Sequence, residues 1–301
     1  MKASKRMLVL FLTPALLAYL LIFFYPTVQT LIFSFFKLGN FTGSDMGFRG
    51  LGNYRELLKA PLFRTSLVNI GKMWLIGGIA VFGLAFFFTI LLTSGIKGKN
   101  FFRAIIYLPN LISVVAMTTM WTQYIYNRRY GLFATFFKTV GLEELAKIQW
   151  TSQDMLFWSM LIAYVWGSVG WFMLFLLAGV ERIPIDFYEA AKLDGATMFQ
   201  SFFKITLPLI RDVFRVALVM WSITIINLFA FPKTFTPVQM QPPTYTPAVY
   251  LYELAFGIGA GQGGESLQLG KAAAIGVSLL LMVILVYVVL NGIFKQTELE
   301  Y

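Results

Sequence analysis

Three small sets of polar and aromatic residues interrupt otherwise apolar stretches of this chain. Tyr164, Ser168 and Trp171 are spaced i, i+4, i+7 and so share one helical face. Trp221, Thr224 and Asn227, followed by Leu228, form a similar arc, and Asn110 and Ser113 follow the dipeptide Leu108-Pro109. Rings that stack, beside amides and hydroxyls that hydrogen-bond, suit a neutral, polyhydroxylated solute. The same residue types also anchor helices at membrane interfaces and bridge neighbouring helices, so spacing alone leaves both roles open. Acid–base, nucleophilic and metal chemistry are poorly provided for. The chain has no histidine and no cysteine, which removes the commonest general base and metal ligand and the thiolate nucleophile.

The elements that carry these residues are predicted to be membrane spans. Of 301 residues 58% are hydrophobic and only 13% charged, far from a soluble average. Several apolar runs reach the roughly 20 residues that cross a bilayer as helix. They predict an all-α polytopic membrane protein with one transmembrane domain over residues 1–301. Its six spans fall at about 7–36, 69–94, 104–125, 156–178, 209–231 and 271–294. The first run follows Lys2, Lys5 and Arg6 and is too long for a signal-peptide core, so it reads as a span. The net charge of +10 is scattered over many loops. That suits lysine and arginine flanking spans and gives no nucleic-acid surface. Lys and Arg divide twelve against twelve between the two sides. Their density in the shorter loops, with Lys97, Lys99 and Arg103 in one, leans toward cytoplasmic termini. The spans contain almost no acidic residue. This weighs against the alternative of a self-sufficient channel or secondary carrier driven by an ion gradient, since intramembrane ionisable groups mark proton relays and ion pathways.

The segment from Ile183 to Pro208, between the fourth and fifth spans, is too ordered in composition for a plain connector. Asp186 and Glu189 have the spacing of a capping box. Glu189, Ala190, Ala191 and Lys192 favour helix, and Gly195 after Asp194 is a natural left-handed stop. A second helical run, Met198 to Lys204, leads to Ile205-Thr206-Leu207-Pro208, with proline tolerated in the first turn of the next helix. A helix-turn-helix elbow follows.

Glu189-Ala190-Ala191, Gly195, Ile205, Leu207 and Pro208 match every fixed position of the EAA loop. The chain therefore resembles the membrane subunits of binding-protein-dependent ABC importers. Tyr188, Asp194-Gly195-Ala196, Phe199-Gln200 and Phe203-Lys204 resemble the carbohydrate, MalF-like branch. Weaker likenesses at Gly50 to Tyr54, Pro61-Leu62-Phe63, Tyr130-Gly131-Leu132 and Gly270 to Ala274 extend over most of the chain. The resemblance implies the ABC type I importer permease fold. The elbow would couple to an ATPase through Glu189, Ala190, Ala191, Asp194, Gly195, Ile205, Leu207 and Pro208, and Glu189 would face a basic residue there. It implies a second, MalG-like permease subunit, a dimer of ABC ATPases and an extracytoplasmic solute-binding protein. The chain would lie in a bacterial cytoplasmic membrane with both termini inside. Asn110, Ser113, Tyr164, Ser168, Trp171, Trp221, Thr224 and Asn227 would line the solute path. The solute would be a sugar, oligosaccharide or polyol, or alternatively glycerol phosphate or an acidic oligosaccharide.

No nucleotide site is legible. Gly259 to Gly264 fits G-x-G-x-x-G but lacks the strand before and helix after it that a dinucleotide site needs. Gly264 to Lys271 is one residue too long for a P-loop, with Ala272 where Ser or Thr would hold magnesium. ATP and magnesium are therefore expected in a partner subunit, with no cofactor, metal or catalytic residue in this chain.

Overall fold

The computed structural model describes residues 5–236, 240–257 and 267–294. The glycine-rich run Gly259 to Gly264 lies outside them. The chain forms two compact units, Met1–Arg64 with Tyr250–Leu281, and Thr65–Val249 with Met282–Tyr301.

In the first unit an apolar helix, Leu10–Phe33, carries no buried residue in its most hydrophobic window. It widens to a π-turn at Leu20–Phe24, which ends two residues before Pro26. Proline has no N–H to offer the preceding turn and its ring crowds the carbonyl four residues back. Thr27 and Thr30 hydroxyls donate to the carbonyls of Phe23 (2.7 Å) and Pro26 (2.8 Å), which satisfies two oxygens near the irregularity. A two-stranded antiparallel ribbon follows, with Phe36 opposite Phe48 and Lys37 opposite Gly47. Asn53 is buried, and its amide donates to the carbonyls of Ser34 (2.9 Å) and Phe36 (2.8 Å). Tyr54 donates to the Ser34 hydroxyl at 2.7 Å. The Asn53-Tyr54 pair thus ties this loop to the end of the first helix. Glu56 accepts from Arg49 and lies 3.0 Å from Lys271 Nζ. These cations, the lysine first, hold its carboxyl below the usual glutamate range.

In the second unit the 25-residue helix Leu156–Val180 is central, with half of its most apolar window buried. It packs on Gly78–Thr93, where Phe82 meets Phe172 and Phe214 at ring distances of 5.0 and 5.3 Å. A helix apolar on every side belongs in a core or a bilayer.

Among the described residues four helices are long and apolar enough to cross a membrane: Leu10–Phe33, Pro61–Thr93, Leu156–Val180 and Leu269–Ile293. The all-α, multi-span fold read from composition is therefore borne out. The predicted span at 104–125 falls on a pair of helices, Lys99–Leu111 and Val114–Ile125, bent by 94° at the break between them. Pro109 narrows the chain to a 3-10 turn, Ile112 is extended, and Ser113 starts a fresh helix by accepting the Ala116 N–H at 3.3 Å. The fifth predicted span, 209–231, contains the 16-residue helix Arg211–Ile226. It stops at Asn227, and a short helix Ala230–Phe235 resumes beyond.

Candidate functional site

The elbow is built as two helical arms around Gly195. The first arm is Ile185–Leu193. Its N-cap is Pro184, and no side chain caps it. The capping box expected from Asp186 and Glu189 does not form. Pro184 starts the helix two residues earlier than an Asp186 cap would, so Asp186 falls inside the first turn, where its charge faces the positive end of the helix dipole. The elbow's capping box is one arm later. Thr197 Oγ1 accepts the Gln200 N–H at 3.3 Å, and Gln200 Oε1 accepts the Thr197 N–H at 2.8 Å.

Between the arms Gly195 takes φ +74. The Ala196 N–H donates to the Ala191 carbonyl (2.9 Å) and the Gly195 N–H to the Lys192 carbonyl (3.1 Å). Those two bonds are the Schellman termination, in which the left-handed residue is usually glycine. The second arm runs through Met198–Ser201, a π-turn at Phe202–Thr206 and Leu207–Leu209, with Pro208 in its last short piece. The Tyr188 and Thr206 hydroxyls, 2.9 Å apart, join the two arms. Burial raises the Tyr188 phenol pKa, so it stays a protonated hydroxyl. Phe202 is buried against Phe86, with ring centroids 5.4 Å apart, so the elbow is fixed to the helix core.

The elbow exposes several large apolar side chains among its charged ones. Leu193 is 90% exposed, Phe199 65% and Phe203 61%, with Ile185 and Phe187 also exposed. Glu189 and Ala190 share this exposed face, Ala191 is buried, and Ile205 and Leu207 are half-buried. Glu181, just before the elbow, lies 3.6 Å from Lys99 and 3.9 Å from Arg103 of the neighbouring loop.

Five of the eight predicted path residues meet at one cavity of about 360 Å³: Asn110, Tyr164, Ser168, Trp171 and Thr224. Among the described residues no charged one lines it. The Ser168 and Thr224 hydroxyls donate to carbonyls of their own helices, each at 2.8 Å. Their oxygens remain acceptors. Asn110 donates to the Gly167 carbonyl at 3.4 Å, leaving its amide oxygen free to accept. Trp171 is 43% exposed and offers a ring face.

The other three serve the frame in this conformation. Ser113 is the N-cap described above. Asn227 Nδ2 donates to the Ile223 carbonyl at 2.9 Å. Trp221 is 1% exposed and packs behind the cavity, its ring 6.0 Å from Tyr164 and 5.7 Å from Phe172. Its indole donates to the Trp74 carbonyl at 3.0 Å, while the Trp74 indole donates to Ser222 Oγ at 2.8 Å. Trp74 and Ser222 were not legible as partners, because only the fold brings residues so far apart in sequence together. Among the described residues no cluster of His, Cys, Asp or Glu could hold a metal ion.

This architecture is that of a multi-pass helical membrane protein with an exposed apolar elbow and an uncharged cavity between its spans. Residues 93–298 match the family described as binding-protein-dependent transport system inner membrane component. The trehalose/maltose transport system permease protein MalF of Thermococcus litoralis is 31% identical over 223 residues, 73% of each chain. The arabinooligosaccharides transport system permease protein AraP of Halalkalibacterium halodurans is 28% identical over 299 residues, 95% of this chain and 88% of that one. The crystal structure of a bacterial ABC transporter involved in import of the acidic polysaccharide alginate aligns with TM-score 0.81. That alignment covers 98% of this chain and 96% of the other at 17% identity, and it speaks to fold alone. The chain belongs to the binding-protein-dependent inner membrane component family and is an ABC transporter permease.

Proposed function

We propose that this chain is the permease subunit of an ATP-driven importer for a sugar, oligosaccharide or related polyol. The observation that carries the coupling half of this reading is the elbow. Its two arms are tied by Tyr188–Thr206 and anchored by Phe202, yet Leu193, Phe199 and Phe203 are left exposed among the described residues. Bare apolar groups on a rigid scaffold call for a protein partner. An ATPase dimer that binds ATP and magnesium is that partner, with Glu189 meeting a basic residue and Gly195 shaping the turn. Closure of the ATPases moves the elbow, and the spans rotate as rigid bodies to open the path outward. Hydrolysis resets them. The machine includes a second permease subunit and an extracytoplasmic binding protein, and both termini lie in the cytoplasm.

The uncharged cavity supports the solute half. Hydroxyl and amide acceptors beside Tyr164 and Trp171 fit a hydroxylated ring better than an ion. The relatives named for arabinooligosaccharides and for trehalose and maltose point to the same class. Purification of the tagged chain from its native membrane in mild detergent tests the assembly. Recovery of an ATPase and a second permease subunit is the expected result. Recovery of the chain alone as a stable homo-oligomer would overturn it.

A further inference from the structure

A second cavity, of about 680 Å³, lies at the far end of the same spans and has the opposite electrostatic character. Arg128 and Arg129 line it, with Gln123, Asn127, Thr151 and Gln241, and among the described residues no carboxylate does. Both arginines are exposed, and among the described residues neither forms an ion pair. Other arginines and lysines of this chain do have acidic partners: Arg49 with Glu56, Arg103 with Glu181, and Lys147 with Glu144.

The loop that presents the pair is closely defined. Asn127 Oδ1 accepts the backbone N–H groups of Arg129 (2.9 Å) and Tyr130 (3.4 Å). The Gly131 N–H donates to the Asn127 carbonyl at 2.8 Å. A Cβ on Gly131 would stand 2.2 Å from that carbonyl oxygen, so the chain folds back too tightly for any other residue. The two arginines are therefore held at the cavity by a turn that does not use their side chains.

The position matters as much as the charge. Leu156 borders this cavity, and Tyr164, Ser168 and Trp171 of the same helix border the uncharged one. Eight residues separate Leu156 from Tyr164, about 12 Å at the helical rise. Phe235 lines the arginine cavity and Phe231 the uncharged cavity, and their rings stack at 6.0 Å. The helix continues through 25 residues to Val180, directly before the elbow. That is about 37 Å, more than the hydrocarbon thickness of a bilayer. With the elbow in the cytoplasm, the arginine cavity is an outer vestibule leading to the inner pocket.

We infer that the Arg128–Arg129 vestibule is an entry subsite for the carboxylate of an acidic saccharide. This rests on the importer reading above and narrows its substrate class. Guanidinium groups match carboxylates in bidentate geometry, and such charge-assisted bonds are about twice as strong as neutral ones. Amides, hydroxyls and the Tyr126 and Tyr130 rings around the pair supply the remaining groups that a hydroxylated ring needs. A concave cavity lined in this way fits a small solute better than the face of a docking protein. A short chain of sugars reaches from the vestibule to the uncharged pocket, its acid at the arginines and a neutral ring face against Trp171.

The test uses the assembled importer in proteoliposomes with its binding protein. Two labelled probes of equal length are compared, an oligouronide and the same oligosaccharide after reduction of its carboxyls to alcohols. The variants are Arg128→Gln/Arg129→Gln and Arg128→Lys/Arg129→Lys. The account expects the glutamine variant to lower oligouronide uptake below saturation by about tenfold or more, the scale of losing charged hydrogen bonds. Uptake of the reduced probe and docking of the binding protein stay unchanged, and the lysine variant lies between. An equal fall for both probes together with weaker docking overturns the inference, because the arginines would then face the binding protein. Import of the reduced probe alone by the unaltered complex overturns the inference and leaves the importer reading standing. Import of neither probe nor of any neutral saccharide removes both.

Discussion

Replacement of Gly195 separates two ways in which the elbow could depend on a glycine. Its φ of +74 is the left-handed conformation. A Cβ built there meets nothing within 4 Å, so within this chain the cost of a side chain is conformational and not steric. For an L-residue other than glycine that cost is about 1–2 kcal/mol. Asparagine is several-fold enriched in the left-handed region and incurs less of it. One to two kcal/mol is a factor of roughly 5 to 30 in the population of a local structure. The Schellman bonds from Ala196 and Gly195 are what would be lost. Gly195→Ala should therefore leave the chain inserted and folded while cutting ATP-driven uptake about tenfold. Gly195→Asn should retain most of the activity. The assay is solute uptake by membrane vesicles, normalised to the amount of permease and co-purified ATPase. Full activity in Gly195→Ala would refute the reasoning about the turn. Asparagine performing worse than alanine would show that side-chain size, and not backbone conformation, sets the requirement.

Tyr188→Phe removes the tie between the elbow's arms and leaves the buried Thr206 hydroxyl without that partner. A loss of about 1 kcal/mol is expected, seen as ATP hydrolysis that responds less to solute-loaded binding protein, with assembly intact. Trp171→Ala should raise the half-saturating solute concentration by about tenfold, while Trp171→Phe keeps a stacking ring and most of the affinity; uptake titrations distinguish them. Because Lys271 and then Arg49 lower the Glu56 pKa, the tie is fully present above the ordinary glutamate pKa. It is lost as pH falls through the lower folded value. Its partial exposure keeps the effect modest. Thermal unfolding of Glu56→Gln should therefore differ from the unaltered chain at neutral pH and converge with it in acid.

Much of the fold was legible because a bilayer permits few solutions. Long apolar runs must become helices whose backbone groups satisfy one another, so Leu156–Val180 and Leu269–Ile293 lie close to the predicted spans. The 94° bend was less legible. Proline tolerates both a kink and a helix start, and only the Ser113 cap on the Ala116 N–H shows that a fresh helix begins after Pro109. The elbow's turn followed from Gly195, whose freedom has few other uses in that position. Its capping box was read at Asp186-x-x-Glu189, but Pro184 starts the first arm early, and the box forms one arm later at Thr197-x-x-Gln200. Helical spacing brought Tyr164, Ser168 and Trp171 to one cavity. It could not tell that Trp221, on the adjacent element, turns into the packing against Trp74. The Arg128-Arg129 pair carried no signal of its own, since basic residues in membrane-protein loops ordinarily flank spans.

The central claim is that the elbow meets an ATPase. The chain has no cysteine, so Leu193→Cys places a single thiol at the elbow's most exposed large apolar side chain. A short thiol-to-amine cross-linker applied to the complex in native membranes should join this chain to an ATP-binding subunit, with a yield that changes when ATP is added. A cross-link from Leu193 only to an extracytoplasmic protein, or to another copy of this chain, would contradict the account.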